Sequence, residues 1–392
     1  MTDTADIVVV GGGVHGTSIA WNLAKRGAGR VMLLEKTGIA AGATQYSSAN
    51  SRLHYQLETL AKMALFGQNM FKNFKEVVGG DCGWNQIGYV VLLPERDVEP
   101  ARKIVEMQQR IGIDARIIAN DEISEMEPSI NLDGIVAGCV EPTSGHCDGA
   151  LTARSFSEAA EREGVELSIS VEVLGISKRG DGIEVETDNG AISAGNVVLA
   201  TGFRTSALLD QVGVDMPIDP IRHTIAVVER APGISDGHPI ISDHVSMAYY
   251  RPTGPGLTLI GVNDPLEGDP DDEVELERAP EQEVQVELAS RFAGRYPDQA
   301  DARLRQGYTG VYDCTPDFQP AFGAVPGTPG LFVDAGYSGH GFKLSPAAGH
   351  LMADLVLDGK TSFVDMTPFR VERFTENDLI PAGGGYDSRI LA

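Results

Sequence analysis

The apolar run Ile7-Val8-Val9-Val10 ends in Gly11-Gly12-Gly13-Val14-His15-Gly16, and that junction constrains the fold more than any other feature of the chain. A buried strand must turn there sharply into a helix. Gly11 allows the tight turn, Gly13 lets the backbone approach a pyrophosphate, and Gly16 lets the helix pack on the strand, each because a Cβ would intrude. The N–H groups at the helix start then face the anion. Ile19, Ala20, Leu23 and Ala24 form the apolar stripe of that helix, Gly27 ends it, and Val31-Met32-Leu33-Leu34 reads as the next strand. This strand stops at Glu35, which falls about twenty positions after the glycines, where an acid accepts from both ribose hydroxyls of an adenosine. The unit predicts a dinucleotide site on a Rossmann-type α/β domain.

Two later segments bear on which dinucleotide. Gly195-Asn196-Val197-Val198-Leu199-Ala200-Thr201-Gly202 is a small-residue strand ending in the kind of turn that closes over the nucleotide in FAD proteins. Further on, Leu331-Phe332-Val333-Asp334-Ala335 runs into Gly336-Tyr337-Ser338-Gly339-His340-Gly341-Phe342-Lys343 and then a helix start at Ser345-Pro346. A helix onset placed there aims N–H groups at the carbonyl edge of a flavin, where a reduced ring gathers negative charge. After residue 50 there is no second fingerprint of comparable quality, so a separate NAD(P)H site is not expected.

Together these residues resemble the D-amino-acid-oxidase and sarcosine-oxidase superfamily of FAD enzymes, from about residue 5 to 370. The nearest branch by resemblance is sarcosine oxidase and the sarcosine oxidase beta subunit, and Tyr337 to Lys343 is its sharpest part. The resemblance implies cofactor contacts from Gly11, Gly13, Val14, His15, Gly16, Glu35, Lys36, Ala43, Thr44, Val173, Thr201 and Gly202, and from Gly339, His340, Gly341, Phe342 and Lys343. It also implies that Arg52 and Lys343 bind a substrate carboxylate, for which a planar guanidinium fork is well shaped, and that Tyr312 is an active-site tyrosine before Thr315-Pro316-Asp317. His340 either polarises the flavin or fills its loop, and Tyr249, Tyr250 and Arg251 lie on a strand that could face the ring.

Departures from the family pattern matter too. Gly310 stands where monomeric sarcosine oxidases carry the cysteine that tethers FAD, and Cys314 is four residues off. Tyr46 follows Gly42-Ala43-Thr44-Gln45, where the dimethylglycine-dehydrogenase branch has a tethering histidine. Non-covalent FAD is therefore expected. Gly256-Leu257-Thr258-Leu259 lacks the lysine that promotes oxygen reaction in sarcosine oxidase, which leaves oxygen or an electron-acceptor protein open as the oxidant.

The expected reaction is oxidation of the C–N bond of a small secondary or N-methylated amino acid to an imine, by hydride transfer to flavin N5. Alternatives are a D-amino-acid or 2-hydroxy-acid dehydrogenase, and a non-catalytic FAD-bearing subunit of a larger complex. A net charge of −25, from 56 acidic against 31 basic residues, argues against nucleic acid or an anionic membrane. The acidic stretch from Asp264 to Glu287 reads as a solvated face rather than a docking surface. Cys82, Cys139, Cys147 and Cys314 have no metal-type spacing, and no run is long enough to span a membrane, so a cytoplasmic protein is expected, homo- or hetero-oligomeric.

Because the two flavin motifs lie at opposite ends, both must return to one domain. Residues 1–85, 145–215 and 325–375 are assigned to an FAD domain, and 86–144 and 216–324 to a substrate domain built on a mainly antiparallel sheet. Alternation in Tyr89-Val90-Val91-Leu92-Leu93 and in His223 to Val228 marks strands of that sheet, and Leu60, Met63, Met70, Phe74 and Val77 stripe one long helix. Leu167 to Ser170 and Val171-Glu172-Val173 read as strand beside the adenine, and the tail 376–392 as extended, lying across a neighbouring surface.

Overall fold

The computed structural model describes residues 3–232, 238–263, 279–381 and Tyr386. At its centre lies the strand Asp3–Val10, which pairs in parallel with Val31–Glu35 on one side and with Gly190–Leu199 on the other. Both its faces are covered, so its apolar residues run on without alternation. Glu166–Ile169 extends the parallel set past Val31–Glu35, and Leu331–Ala335 joins it along Gly190–Leu199. The antiparallel strands Val173–Arg179, Gly182–Thr187 and Ala321–Ala324 complete eight. On one face the helix Val14–Lys25 packs between Gly149–Arg162 and Ser345–Asp358.

A second eight-stranded sheet runs in the order Arg303–Cys314, Asp219–Glu229, Leu257–Val262, Ala248–Pro252, Ile240–Asp243, Tyr89–Leu93, Ala137–Glu141, Arg116–Ile118. Every pairing is antiparallel except that of Ile240–Asp243 with Tyr89–Leu93. A small third sheet joins Asn50–Ser51, Gly145–His146 and Asn85–Gln86, and leads directly into Arg52.

Several local expectations need correction. The helix Glu58–Lys72 stops at Asn73 and a separate turn, Phe74–Val77, follows, leaving Val77 exposed. Tyr89–Leu93 alternates in direction but not in burial, because Tyr89, Val91 and Leu93 enter one core and Val90 and Leu92 another. Ser170 adopts a left-handed φ of 62° and breaks the chain between Glu166–Ile169 and Val173–Arg179, so Val171-Glu172 is a corner rather than a strand. Ala321–Ala324 pairs with Leu331–Ala335 in the first sheet, which moves the start of the proposed third FAD segment from 325 back to 321. Of the acidic stretch, residues 264–278 lie outside the described residues. In the tail, Tyr386 is buried against this same chain, its ring beside His54 and His244. All four cysteines are buried and free, and no described helix is long and apolar enough to cross a membrane.

After the helix Ser345–Asp358 the chain returns to brace the turn beyond Tyr312. Arg373, fully buried, sends Nε and Nη2 to the two Asp317 oxygens at 2.8 and 2.9 Å and binds the Gln319 carbonyl as well. Removing the cation strands a carboxylate in a dry interior. Arg373→Met is expected to lose roughly 3 kcal/mol of stability, read as a lower urea midpoint at unchanged m. A midpoint equal to the parent's would show that the pair does not hold this turn.

Candidate active site

A cavity of about 780 Å3 opens at the carboxyl ends of the parallel strands, where open α/β sheets receive their ligands. The first sheet contributes the turn from Gly11 to His15, Glu35 with Lys36, and Thr201 with Gly202. The second sheet closes the far wall with His223, Tyr249, Gly310 and Tyr312. Gly11 takes φ +110°, and a Cβ on it would lie 2.4 Å from the Ala200 oxygen. At Gly16 a Cβ would lie 1.9 Å from the Gly11 oxygen; this residue does not line the cavity but sets how closely the helix begins against the strand. The helix Val14–Lys25 has no acid in its first turn and no cap from Gly13, so beyond the Val14 amide, which Thr44 takes, its leading amides are left to an anion.

The nucleotide end is held firmly. Glu35 accepts from the Gly12 amide at 2.7 Å through one oxygen and from the Thr37 amide and hydroxyl at 2.8 Å through the other. Thr44, in the turn Ala43–Tyr46, accepts from the Val14 amide at 3.1 Å and so ties that turn to the helix start. Val173 lines the cavity as the first residue of its strand, and Lys36 reaches Glu172 at 3.1 Å. Gly339, Gly341 and Phe342 enter from the loop after Leu331–Ala335, with a Cβ on Gly339 falling 2.6 Å from the Tyr312 ring. An acid at the ribose position, a helix start without an acid in its first turn and a cavity of this size fit FAD.

A second cavity, of about 60 Å3, shares Ser47, Ser48, Tyr249, Tyr312, Gly339 and Phe342 with the first. Here Arg52 and Lys343 meet, although nearly the whole chain separates them. Arg52 lies 4.5 Å over the Tyr55 ring and donates to the His54 carbonyl. Lys343 donates to the His340 carbonyl at 3.3 Å. Both are buried, at 6% exposure each, and burial together with the nearby guanidinium drives Lys343 well below the ordinary ammonium range. Lys343 lines the smaller cavity and not the larger one.

Sequence reasoning missed three features of this site. Glu141 is fully buried and accepts from the Leu53 amide at 2.8 Å and from Gln108 at 2.6 Å, fixing the segment that carries Arg52. Asn50 and Asn263 bring amides to the small cavity. His223 stacks on Tyr312 with centroids 4.4 Å apart, and burial holds its pKa down to about 4, so it is neutral. Its Nε2 is buried without a hydrogen-bond partner among the described residues. Polarity within an alternating apolar strand was the one signal that could have found His223.

Other candidates fall elsewhere. His340 lines neither cavity, and its Nε2 lies 3.1 Å from the Phe318 carbonyl. Tyr250 points to the opposite side of its strand from Tyr249 and packs on Phe292 and Tyr296. Arg251 binds His146 at 2.8 Å and reaches neither cavity. Thr258 turns away, accepting from Arg230 at 2.8 Å, while Leu259 packs with Ile225 and Tyr249 on the cavity side.

Residues 6–355 match the DAO family, described as FAD dependent oxidoreductase. The chain belongs to this family. Among curated relatives, mitochondrial dimethylglycine dehydrogenase of Rattus norvegicus is 27% identical over 97% of this chain and 46% of its own length. The chain thus spans about half of that relative, and 42% of the mitochondrial sarcosine dehydrogenase of Mus musculus. Glycine oxidase of Geobacillus kaustophilus is 28% identical over 95% of this chain and 98% of its own. Among solved structures, L-proline dehydrogenase from P. horikoshii superposes with a TM-score of 0.88 at 27% identity, over 97% of this chain and all of that one.

Two outcomes are expected of this flavoenzyme's cofactor site. Acid precipitation should release all the flavin, because Gly310 and Tyr46 line the cavity where tethering residues would stand; yellow colour left in the washed pellet would refute this. Glu35→Gln places an amide donor among backbone donors and should weaken FAD binding by roughly 1–3 kcal/mol, measured by flavin fluorescence titration.

Proposed function

We propose that this enzyme oxidises the C–N bond of a small secondary or N-methylated amino acid to an imine, which water then hydrolyses. The observation that carries the reading is the pairing of Arg52 and Lys343 in a small cavity that shares a wall with the FAD cavity. Two cations facing a confined space select a carboxylate, and the guanidinium fork fixes its plane. Their positive field also lowers the pKa of a substrate amine bound beside them, and only a neutral nitrogen has the lone pair an imine requires. Tyr249, Tyr312 and Phe342 line both cavities where they meet. Tyr312 stays neutral, since burial pushes its phenol well above the ordinary range. FAD, when bound, would supply the acceptor for the hydride of the C–H bond, which carries both electrons.

The names of the relatives support the substrate class: sarcosine, dimethylglycine and glycine are all small amino acids. Both dehydrogenases and oxidases occur among them. On the side of Leu257–Val262 that faces the site stand Leu259 and Gly261 rather than a cation, which favours an acceptor protein over oxygen as the outlet for electrons. One relative is named as a subunit, sarcosine oxidase subunit beta, which supports assembly with other chains.

Anaerobic mixing with a panel of N-methyl, imino, D-amino and 2-hydroxy acids tests the reading. Bleaching of the flavin by N-methylated or imino acids is expected. Bleaching by 2-hydroxy or D-amino acids alone would replace the substrate class, and none until a partner is added would make the chain a flavin-bearing subunit. Arg52→Met should weaken carboxylate binding about ten- to a hundredfold while flavin stays bound.

Lys343 gives a pH signature. Its ammonium is depressed in the free site, so a bound carboxylate raises its pKa and takes up a proton when the pH lies above the depressed value. Affinity for a simple carboxylate such as acetate should therefore fall as pH rises through that value. The dependence should vanish in Lys343→Met, as followed by perturbation of the flavin spectrum.

A further inference from the structure

His15 occupies the glycine-rich turn, and its imidazole meets an acceptor on each side. Nδ1 lies 2.7 Å from Asp334 Oδ2, at the end of Leu331–Ala335, and Nε2 lies 3.0 Å from the carbonyl oxygen of Gly341 in the flavin loop. Neither a carboxylate nor a carbonyl can donate. A neutral imidazole carries one N–H and would leave a lone pair facing an oxygen lone pair at one of the two contacts. Only the imidazolium satisfies both.

We propose that His15 is a fixed imidazolium that clasps the flavin loop to the phosphate-binding turn, so that FAD affinity depends on its proton. The clasp joins three pieces distant in sequence: the start of the helix Val14–Lys25, the end of Leu331–Ala335 and the loop at Gly341. It also places a positive charge on the wall of the cavity beside the amides that receive the pyrophosphate. Both of its donors are spent on protein oxygens, so it acts by holding the loop and through its charge rather than by bonding the cofactor.

The groups around the ring agree with a held proton. Asp334 is fully buried and also accepts from the Tyr337 hydroxyl. Asp313, at the end of Arg303–Cys314, presents a second carboxylate whose Oδ2 accepts from the Gly336 amide at 2.8 Å. The Tyr337 ring packs against the imidazole at 4.2 Å and carries no charge, its phenol pushed well above the ordinary range by burial. His340 faces His15 from the same loop and is held neutral by burial, with Lys343 adding to that. Burial opposes the charge on His15, the Asp334 carboxylate outweighs it, and the pKa rises above the ordinary histidine value. A group raised in this way contributes fully at low pH and is lost as pH climbs through its raised pKa, above about 6.5.

The test is reconstitution of the apoprotein with FAD between pH 6 and 9, with the dissociation constant read by flavin fluorescence for the parent, Asp334→Asn and His15→Gln. The parent should weaken by roughly tenfold or more in a one-proton step. The step should move to lower pH in Asp334→Asn and be absent in His15→Gln, whose affinity is uniformly weak. Because either variant could disturb the loop, 15N spectra of histidine-labelled parent apoprotein supply a second reading: both His15 nitrogens should carry protons near neutral pH. A flat parental profile, a step that survives at the same pH in His15→Gln, or a bare His15 nitrogen at neutral pH would each overturn the proposal.

Discussion

The parallel pairing of three strands far apart in sequence is the contact on which the rest depends. Asp3–Val10 lies beside Gly190–Leu199, and that strand lies beside Leu331–Ala335. These pairings carry the glycine turn, the Ala200-Thr201-Gly202 turn and the flavin loop to one edge. Each is bought with a long loop closure, which costs entropy slowly with length but delays the contact kinetically. The buried, continuous apolar character of the strands is what makes the closure worthwhile.

Once that edge exists, the substrate region follows from where the other sheet's strands end. Two cations buried side by side are unfavourable without an anion, and the fold sustains them with hydrogen bonds and a distant carboxylate rather than with a direct counter-ion for Lys343. Glu141 supports the backbone next to Arg52, and aromatic rings give both cations a polarisable neighbour in Tyr55. The site thus holds the Arg52 segment in place while empty, and an entering carboxylate stabilises the ammonium form of Lys343 that burial disfavours.

The parts legible in the sequence were those whose physical requirement is local. Gly11 and Gly16 are demanded by contacts within one turn and its neighbouring strand, and Glu35 by the end of a strand that the hydrophobic run itself defines. Tyr249 and Tyr250 could not be told apart by composition, since adjacent strand residues face opposite ways and only the register of the sheet decides which side holds the cavity. His340 sits inside a strong motif yet turns to the Phe318 carbonyl, a contact that no pattern near it announces. His15 was visible as a turn residue through its backbone, but its partner Asp334 is 319 positions away. The same dependence on register sets Leu259, not Thr258, on the cavity side of its strand.

The interleaving of the two large sheets also bears on how the enzyme comes to hold its cofactor in a cell. A chain emerging from the ribosome can form Asp3–Val10, its helix and Val31–Glu35 early, yet the strand Leu331–Ala335 and the loop that completes the cavity are synthesised long after them. The cavity is therefore complete only once Leu331–Ala335 and the loop after it have joined strands made long before them.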